Sequence, residues 1–252
     1  MNLPRAWLPL LALGLAGSLP AAEATPVLQQ ALAAEARGDT RTALALFRQA
    51  DALQPDDAFI LQKISRQYSD ATGETTDVAE KQRLCREALA YAQRAVALQP
   101  ASAVNVLSLA ICYGKLGLYS DTRTKIEYSR HVKEYAEQAL VLDPNYDYAH
   151  HVLGRWNYEV ASLGLGTRFI VRLIYGGLPP ASTAEAVRQL QRAVELSPRL
   201  PSHRVELGFA LLADGQPEAA RLMFEQALAL PRVEKHDDEA FARARAALSK
   251  LG

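Results

Sequence analysis

The sequence predicts an all-α solenoid of about five helical hairpins, with lengthened middle helices and a C-terminal capping helix. The first observation behind this fold class is that similar helix ends recur, each followed by a proline. These prolines are Pro55, Pro100, Pro144, Pro198 and Pro231. Because proline cannot continue a helix and restrains the residue before it, each position indicates the end of a hairpin's second helix.

The second observation is the pattern inside the first and last units. Each places a glycine turn, a small residue, an aromatic residue and another small residue at matching positions. They are Gly38, Ala43, Phe47 and Ala50 in the first unit, and Gly215, Ala220, Phe224 and Ala227 in the last. Small residues are needed where two helices cross closely, and the aromatic fills the gap between hairpins. This is the pattern of the tetratricopeptide repeat, whose unit of about 34 residues is close to the last proline spacing.

The middle units keep the small residues but are longer than this repeat. The stretches from Thr76 to Leu98 and from Ser120 to Leu142 contain neither glycine nor proline. They predict helices of roughly six turns each. An insertion of roughly 20 residues, 164–181, separates the two helices of the fourth unit. Ser182 or Thr183 is expected to cap the helix that follows.

Residues 1–24 have the pattern of a secretory signal peptide. Arg5 supplies a positive start, an apolar stretch runs from Ala6 to Leu19, and small residues surround a cleavage position near Ala24. We therefore expect a mature tetratricopeptide-like domain of residues 25–252 in the periplasm. An uncleaved membrane anchor is the alternative.

The charge balance argues against nucleic acid as a partner. The chain has 28 Lys and Arg residues and 28 Asp and Glu residues, so its formal net charge is zero. Such a chain has no field that would gather a polyanion.

The sequence lacks the motifs that carry catalysis. It contains no glycine-rich phosphate loop, no His-Glu-x-x-His, no Gly-x-Ser-x-Gly and no cysteine pair at metal-ligand spacing. Asp147 and His151 lie one helical turn apart, but two metal ligands without a third are weak evidence for a metal site. We expect no enzymatic activity, no cofactor and no metal.

The helix predicted from Tyr146 to Leu163 has two unlike faces. One is an apolar stripe that builds the core. The other is a row of mixed side chains at helical spacing, formed by His151, Arg155, Tyr158 and Glu159. A surface helix normally exposes simple charges, so this row predicts a ligand-binding surface. A purely structural pair between Arg155 and Glu159 is the alternative.

The row extends into a predicted ligand groove on the inner side of the solenoid. Its other polar members, on the first helices of the second and third units, are Gln62, Arg66, Asp70 and Lys115. Its apolar end is formed by Val205, Phe209 and Leu212. Because the helix that carries these three is apolar nearly all round, both of its sides must be covered. The cover is either the terminal helix from Asp237 to Leu251 or an apolar ligand such as an acyl chain.

The insertion contains an apolar run with two arginines, from Arg168 to Tyr175. Such a segment either folds back against its own array, which its glycine boundaries allow, or lies on a membrane surface. We favour the packed arrangement.

Cys85 and Cys112 are the two cysteines of the chain. The helices that carry them run antiparallel through the Pro100 turn, so the two sulfurs can meet. In an oxidising compartment this arrangement allows a disulfide, and two buried free thiols are the alternative.

Two stretches carry a family resemblance, HVLGRWNYEVA at 151–161 and YGGLPPASTAEA at 175–186, with flanking motifs at 110–116 and 229–235. They resemble the regulator of microtubule dynamics family of membrane-associated eukaryotic proteins, from about Leu53 onward. The resemblance implies a tetratricopeptide-like array without catalytic activity that acts through protein contacts. It also implies a link to phospholipid, because a related domain is associated with phospholipid binding. The predicted signal peptide departs from the family, so its microtubule and organelle settings are not carried over.

The sequence thus predicts a non-enzymatic periplasmic scaffold that binds a protein or peptide partner in its groove. The alternative is a phospholipid-binding or lipid-transfer module that uses the apolar end of the same groove.

Overall fold

The structure is a computed structural model that describes residues 19–251, with side chains from residue 24 onward except those of residues 165 and 168–170. Most of the predicted signal peptide lies outside the described residues. The described part of the chain contains no strand and has a short 3₁₀ turn at Thr72–Glu74. Its helices are α1 (Leu19–Ala36), α2 (Thr40–Leu53), α3 (Ala58–Ala71), α4 (Val78–Leu98), α5 (Ala103–Leu118), α6 (Thr122–Leu142), α7 (Asp147–Ala161), α8 (Leu165–Tyr175), α9 (Thr183–Leu196), α10 (Pro201–Ala213), α11 (Pro217–Leu228) and α12 (Asp237–Leu251).

These helices form a row of hairpins, α1/α2, α3/α4, α5/α6, α7/α9 and α10/α11, and each hairpin packs on the next. The terminal helix α12 packs on α10 and α11. The first helices α3, α5, α7 and α10 also contact one another in series, and they form the inner, concave layer. The predicted tetratricopeptide-like solenoid is confirmed.

The long helices of the middle units are present and differ from the prediction only at their starts. α4 and α6 have 21 residues each and begin after Asp77 and Asp121, whose carboxylates accept backbone N–H groups of the first turn. Both end just before Pro100 and Pro144 respectively, because the residue before a proline disfavours helical geometry.

Small residues lie where helices approach closely. A Cβ atom on Gly208 of α10 would lie 2.4 Å from Cε1 of Phe224, whose ring is fully buried. Only glycine therefore lets α10 lie against this ring. A Cβ atom on Gly154 of α7 would likewise lie 2.6 Å from Cγ of Leu190 on α9.

The central helix α7 is fixed by its apolar stripe. Trp156 is 4% exposed, and its indole N–H donates a hydrogen bond to the carbonyl oxygen of Ser129 at 2.8 Å.

The second helix of this hairpin, α9, is capped by Ser182, whose hydroxyl accepts the backbone N–H of Glu185. Of the two predicted caps, Ser182 is thus the one used.

The first helix, α1, runs through the predicted cleavage position, and Ala24 is buried within it. Among the residues that the structure describes, no helix has the length and apolar character needed to cross a membrane.

The insertion forms helix α8 and a segment that returns to the array. Arg130 of α6 donates hydrogen bonds to the carbonyl oxygens of Tyr175 at 2.5 Å and Gly177 at 2.6 Å. Between these two residues, Gly176 ends α8 in the left-handed conformation that glycine adopts most easily. The C-terminal end of α8 is therefore attached to the third hairpin.

The side chains of α8 divide between the array and solvent. Val171 is buried next to a cavity of about 240 Å³ that lies between the end of α7 and the returning segment. Leu173 and Ile174 are 73% and 62% exposed. The favoured prediction, packing against the array, therefore holds for Val171 and is wrong for Leu173 and Ile174. The side chains of residues 168–170, which belong to the same prediction, lie outside the described residues.

Cys85 and Cys112 are both buried and free. The sulfur of Cys112 lies 3.5 Å from the hydroxyl oxygen of Ser65, and burial raises the pKa of Cys112 to about 11. The disulfide that the sequence allows is not formed, and the two thiols pack as small core residues.

Candidate binding site on the concave face

His151 lies at the contact between α7 and α10. Its Nδ1 is 2.9 Å from Nδ1 of His203, and Nε2 of His203 is 3.1 Å from Oδ2 of Asp147. His203 is fully buried. Burial lowers the pKa of His151 to about 3, and the neighbouring His203 contributes to this shift as a smaller cause. The imidazole of His151 is therefore neutral near pH 7. Asp147 thus pairs with His203, and the predicted groove residue His151 ties α7 to α10.

Three helices meet at the buried carboxylate of Glu206 on α10. It accepts hydrogen bonds from the hydroxyl of Tyr158 at 2.7 Å and from the guanidinium of Arg243 at 2.5 Å, and Arg155 lies 3.8 Å away. Burial alone would raise the pKa of Glu206, but the charges of Arg155 and Arg243 outweigh it and hold that pKa below its ordinary value. Tyr158, predicted to face a ligand, therefore joins α7 to α10.

Arg155 and Glu159 are the accessible members of the predicted row. Their side chains are 46% and 52% exposed, and Nε of Arg155 donates a hydrogen bond to Glu159 at 2.8 Å. Such a pair one turn apart contributes only about 0.3–0.5 kcal/mol. A partner with complementary charges can therefore compete for both groups at little cost.

Gln62 and Lys115 connect α3 to its neighbours. The amino group of Lys115 donates a hydrogen bond to the carbonyl oxygen of Ser69 at 2.6 Å, near the end of α3. The side-chain amide of Gln62 donates to the hydroxyl of Ser108 on α5 at 3.3 Å. Both predicted groove residues are partly buried and hold the inner layer together.

The predicted apolar end of the groove is covered by the protein itself. Val205 is fully buried, so its side chain lies in the core and not in the groove lining, contrary to prediction. Phe209 packs edge-to-face on Phe224, with ring centroids 5.1 Å apart, and lies under the guanidinium of Arg243 on α12. Leu212 is partly buried in the same cluster. The terminal helix α12 thus covers the apolar side of α10, which was one of the two predicted covers. It occupies the place that the alternative gave to an acyl chain.

The concave face also holds residues 232–236, which connect α11 to α12 and which we call the crossing segment. The carboxylate of Glu234 lies 3.6 Å from the guanidinium of Arg66 on α3. Burial and a hydrogen bond to the same carboxylate raise the pKa of Tyr148 on α7. Arg66, predicted to bind a ligand, therefore faces a side chain of its own protein.

The next two residues of the crossing segment reach the N-terminal hairpins. The amino group of Lys235 contacts Glu74 at 2.7 Å and the hydroxyl of Thr40. Nε2 of His236 lies 2.9 Å from the carboxylate of Asp70. Burial would raise the pKa of Asp70, but the hydrogen bond and charge of His236 outweigh it and lower that pKa.

Sequence reasoning missed His203, Glu206, Arg243 and the crossing segment. Glu206 does leave a signal, because a single carboxylate in a helix that is apolar nearly all round requires a buried partner. Its partner Arg243 lies 37 residues further along the chain, and no local pattern indicates it. The crossing segment has the sequence of an ordinary polar connection.

The chain is similar in sequence to one family of known proteins. A family model described as "Regulator of microtubule dynamics protein 1-3" matches residues 27–252. Regulator of microtubule dynamics protein 1 of Bos taurus is 31% identical over 186 residues, which cover 73% of this chain and 58% of that protein. Regulator of microtubule dynamics protein 3 of Xenopus laevis is 28% identical over 188 residues, which cover 74% of this chain and 41% of that protein.

The matched region spans about half the length of these relatives. Among solved structures, a thermophilic tetratricopeptide protein of Thermus thermophilus is similar to this chain. Its TM-score is 0.65 at 20% sequence identity, over 90% of this chain and 99% of that one. This similarity shows the fold.

Proposed function

This chain belongs to the regulator of microtubule dynamics protein 1-3 family, and from that premise we propose that it is a non-enzymatic scaffold that binds a protein or peptide partner on its concave face. The tetratricopeptide-like fold supports a role in protein interaction. The polar clusters of the inner layer serve helix packing, which supports a role without catalysis.

One observation carries the proposal. The concave face already holds a stretch of polypeptide, the crossing segment, through contacts made by its side chains. On α7 of the same inner layer, Arg155 and Glu159 remain about half exposed, and the hydrogen bond that joins them is easily exchanged. The surface therefore offers charges of both signs to an extended peptide.

Panning a display library of random peptides against the full chain tests this proposal. Peptides that bind are synthesised and titrated by isothermal calorimetry against the native chain and against Arg155→Ala. We expect Arg155→Ala to weaken binding by about tenfold, since arginine is among the residues that anchor interfaces. Far-UV circular dichroism checks that the variant is folded.

The matched control is Arg83→Ala, which removes an equally exposed arginine from the second-layer helix α4. It should leave peptide binding unchanged. If no peptide binds, or if Arg83→Ala and Arg155→Ala weaken binding equally, the concave face is not the binding surface.

We also propose that the chain is exported to the periplasm and cleaved near Ala24. Expression in a bacterial host, followed by intact-mass measurement of the periplasmic fraction, should give a chain that begins near Thr25. A full-length chain retained in the inner membrane would support the uncleaved anchor instead.

The exposed side of α8 favours a second role, contact with a membrane surface. Leu173 and Ile174 project into solvent beside Arg172, which is the combination that binds an interface carrying anionic lipid. Sedimentation with vesicles containing phosphatidylglycerol should recover the native chain, and Leu173→Glu with Ile174→Glu should remain in the supernatant. Equal recovery of both proteins would remove this role.

A further inference from the structure

The crossing segment makes contacts that span most of the sequence. Lys235 lies 195 residues from Thr40 and 161 residues from Glu74, and His236 lies 166 residues from Asp70. The segment enters the concave face from the last hairpin and reaches the first and second hairpins. It therefore lies across the inner surface where a partner of the solenoid is expected to bind.

The crossing segment is held at its own end by Asp237. One carboxylate oxygen of Asp237 accepts the backbone N–H groups of Val233 and Glu234, at 2.7 Å each, and Asp237 is 1% exposed. This turn uses the backbone of Val233 and Glu234, whereas the groove contacts use side chains, so the turn does not depend on those contacts. The turn presents the three side chains that follow Val233 to the concave face.

The contacts between the segment and the groove are polar and partly open to water. The side chains of Glu234, Lys235 and His236 are 25%, 27% and 50% exposed. Each meets the opposite charge or a hydroxyl group. The helix that follows is instead fixed by buried apolar residues such as Ala244. The three side chains can thus leave their groove partners while α12 and the Asp237 turn stay in place.

We propose that the crossing segment is an internal competitor of the groove, and that the partner is an extended peptide with a carboxylate followed by a cationic side chain. Such a peptide binds by replacing Glu234 at Arg66 and Lys235 at Glu74. This inference rests on the proposed function, because it assigns the chemistry of the same peptide-binding surface.

The covalent connection of the crossing segment to α12 determines how strongly the segment competes with an outside peptide. A segment joined by a short connection is present at roughly millimolar effective concentration, so even weak contacts occupy the groove for much of the time. Releasing the segment should make the groove fully available and tighten binding of an outside peptide by about tenfold.

The test uses the full chain with Glu234→Ala and Lys235→Ala together, and a fluorescein-labelled peptide with the sequence of residues 230–237. Fluorescence anisotropy measures its dissociation constant. We expect the double variant to bind this peptide about tenfold more tightly than the native chain does. Adding Arg66→Ala to the double variant should abolish the gain, and a peptide with glutamine in place of its glutamate should bind weakly to all chains.

Glu80→Ala with Lys81→Ala is the matched control, because it removes the same pair of charges from α4, outside the concave face. It should bind the peptide as the native chain does.

The outcomes separate this inference from the proposed function. If library peptides bind but the native chain and the double variant have equal affinities, the surface binds peptides and the crossing segment is not a competitor. If neither the segment peptide nor any library peptide binds to either chain, the proposed function itself fails. A double variant that forms dimers in sedimentation would make the occupant a second copy, and that result also overturns the inference.

Discussion

Replacing Glu206 with glutamine tests how the inner layer is held to the terminal helix. Glu206→Gln keeps the shape of the side chain but removes the charge that Tyr158 and Arg243 contact. Hydrogen bonds to charged groups contribute roughly 1.5–3 kcal/mol and neutral ones about 1 kcal/mol. The bond from Tyr158 becomes neutral and the bond from Arg243 loses the charge of its acceptor, so we expect the free energy of unfolding to fall by about 2 kcal/mol. Glu206→Gln also removes the attraction to the charge of Arg155, 3.8 Å away, which adds to this fall.

The same substitution should change the response to acid. The pKa of Glu206 in the folded chain lies below its ordinary value of 4.5. The carboxylate therefore stabilises the fold fully above the unfolded pKa, and this stabilisation is lost as the pH falls through the folded pKa. The native chain should lose more stability than Glu206→Gln when the pH is lowered below 4.5. The difference in the free energy of unfolding between the native chain and Glu206→Gln should therefore become smaller as the pH falls.

Urea unfolding followed by far-UV circular dichroism, at neutral pH and at acidic pH, measures both effects. Glu80→Gln is the control, because Glu80 pairs with Arg83 at 2.7 Å on an exposed surface. The free energy of unfolding of Glu80→Gln should stay nearly unchanged. Equal losses for the two variants at neutral pH would refute the reasoning, since the buried carboxylate would then contribute no more than an exposed one.

Three further substitutions or measurements test the packing. Gly208→Ala should cost about 1–3 kcal/mol because its Cβ would press on Phe224, whereas Gly73→Ala, with nothing within 4 Å, should leave the melting temperature nearly unchanged. Trp156→Ala should cost about 3–5 kcal/mol in urea unfolding, and a loss below about 1 kcal/mol would contradict its place in the core. Thiol titration of the denatured, unreduced chain should find both cysteines free, and Cys112 should react slowly with iodoacetamide in the native chain.

The helix boundaries were predictable because each depends on residues next to it in the sequence. Asp77 accepts the backbone N–H of Ala79, two residues away, and Pro100 restrains the end of α4 directly. The small residues at helix crossings were predictable for a similar reason, since one repeat shows what the next requires. The predicted start of α4, at Thr76, was early by two residues, because Asp77 caps the helix.

The binding surface was less predictable, because its side chains take their partners from distant helices. Tyr158 meets Glu206 48 residues further along the chain, and Lys235 meets Thr40 195 residues back. Helical spacing correctly placed Tyr158 on the inner side of α7. It gave no means of knowing that another helix already supplies a carboxylate there.

The crossing segment also changes how the solenoid is expected to come apart. An open array of repeats frays from its ends, because a terminal repeat has only one neighbour to hold it. The contact of Lys235 with Thr40 gives the first hairpin a second neighbour, the far end of the same array, and the contact with Glu74 adds a further one to the second hairpin. Opening of the two ends is thereby coupled, so amide protection in α2 depends on residues at the opposite terminus. A partner that displaces the segment would free both ends to fray independently.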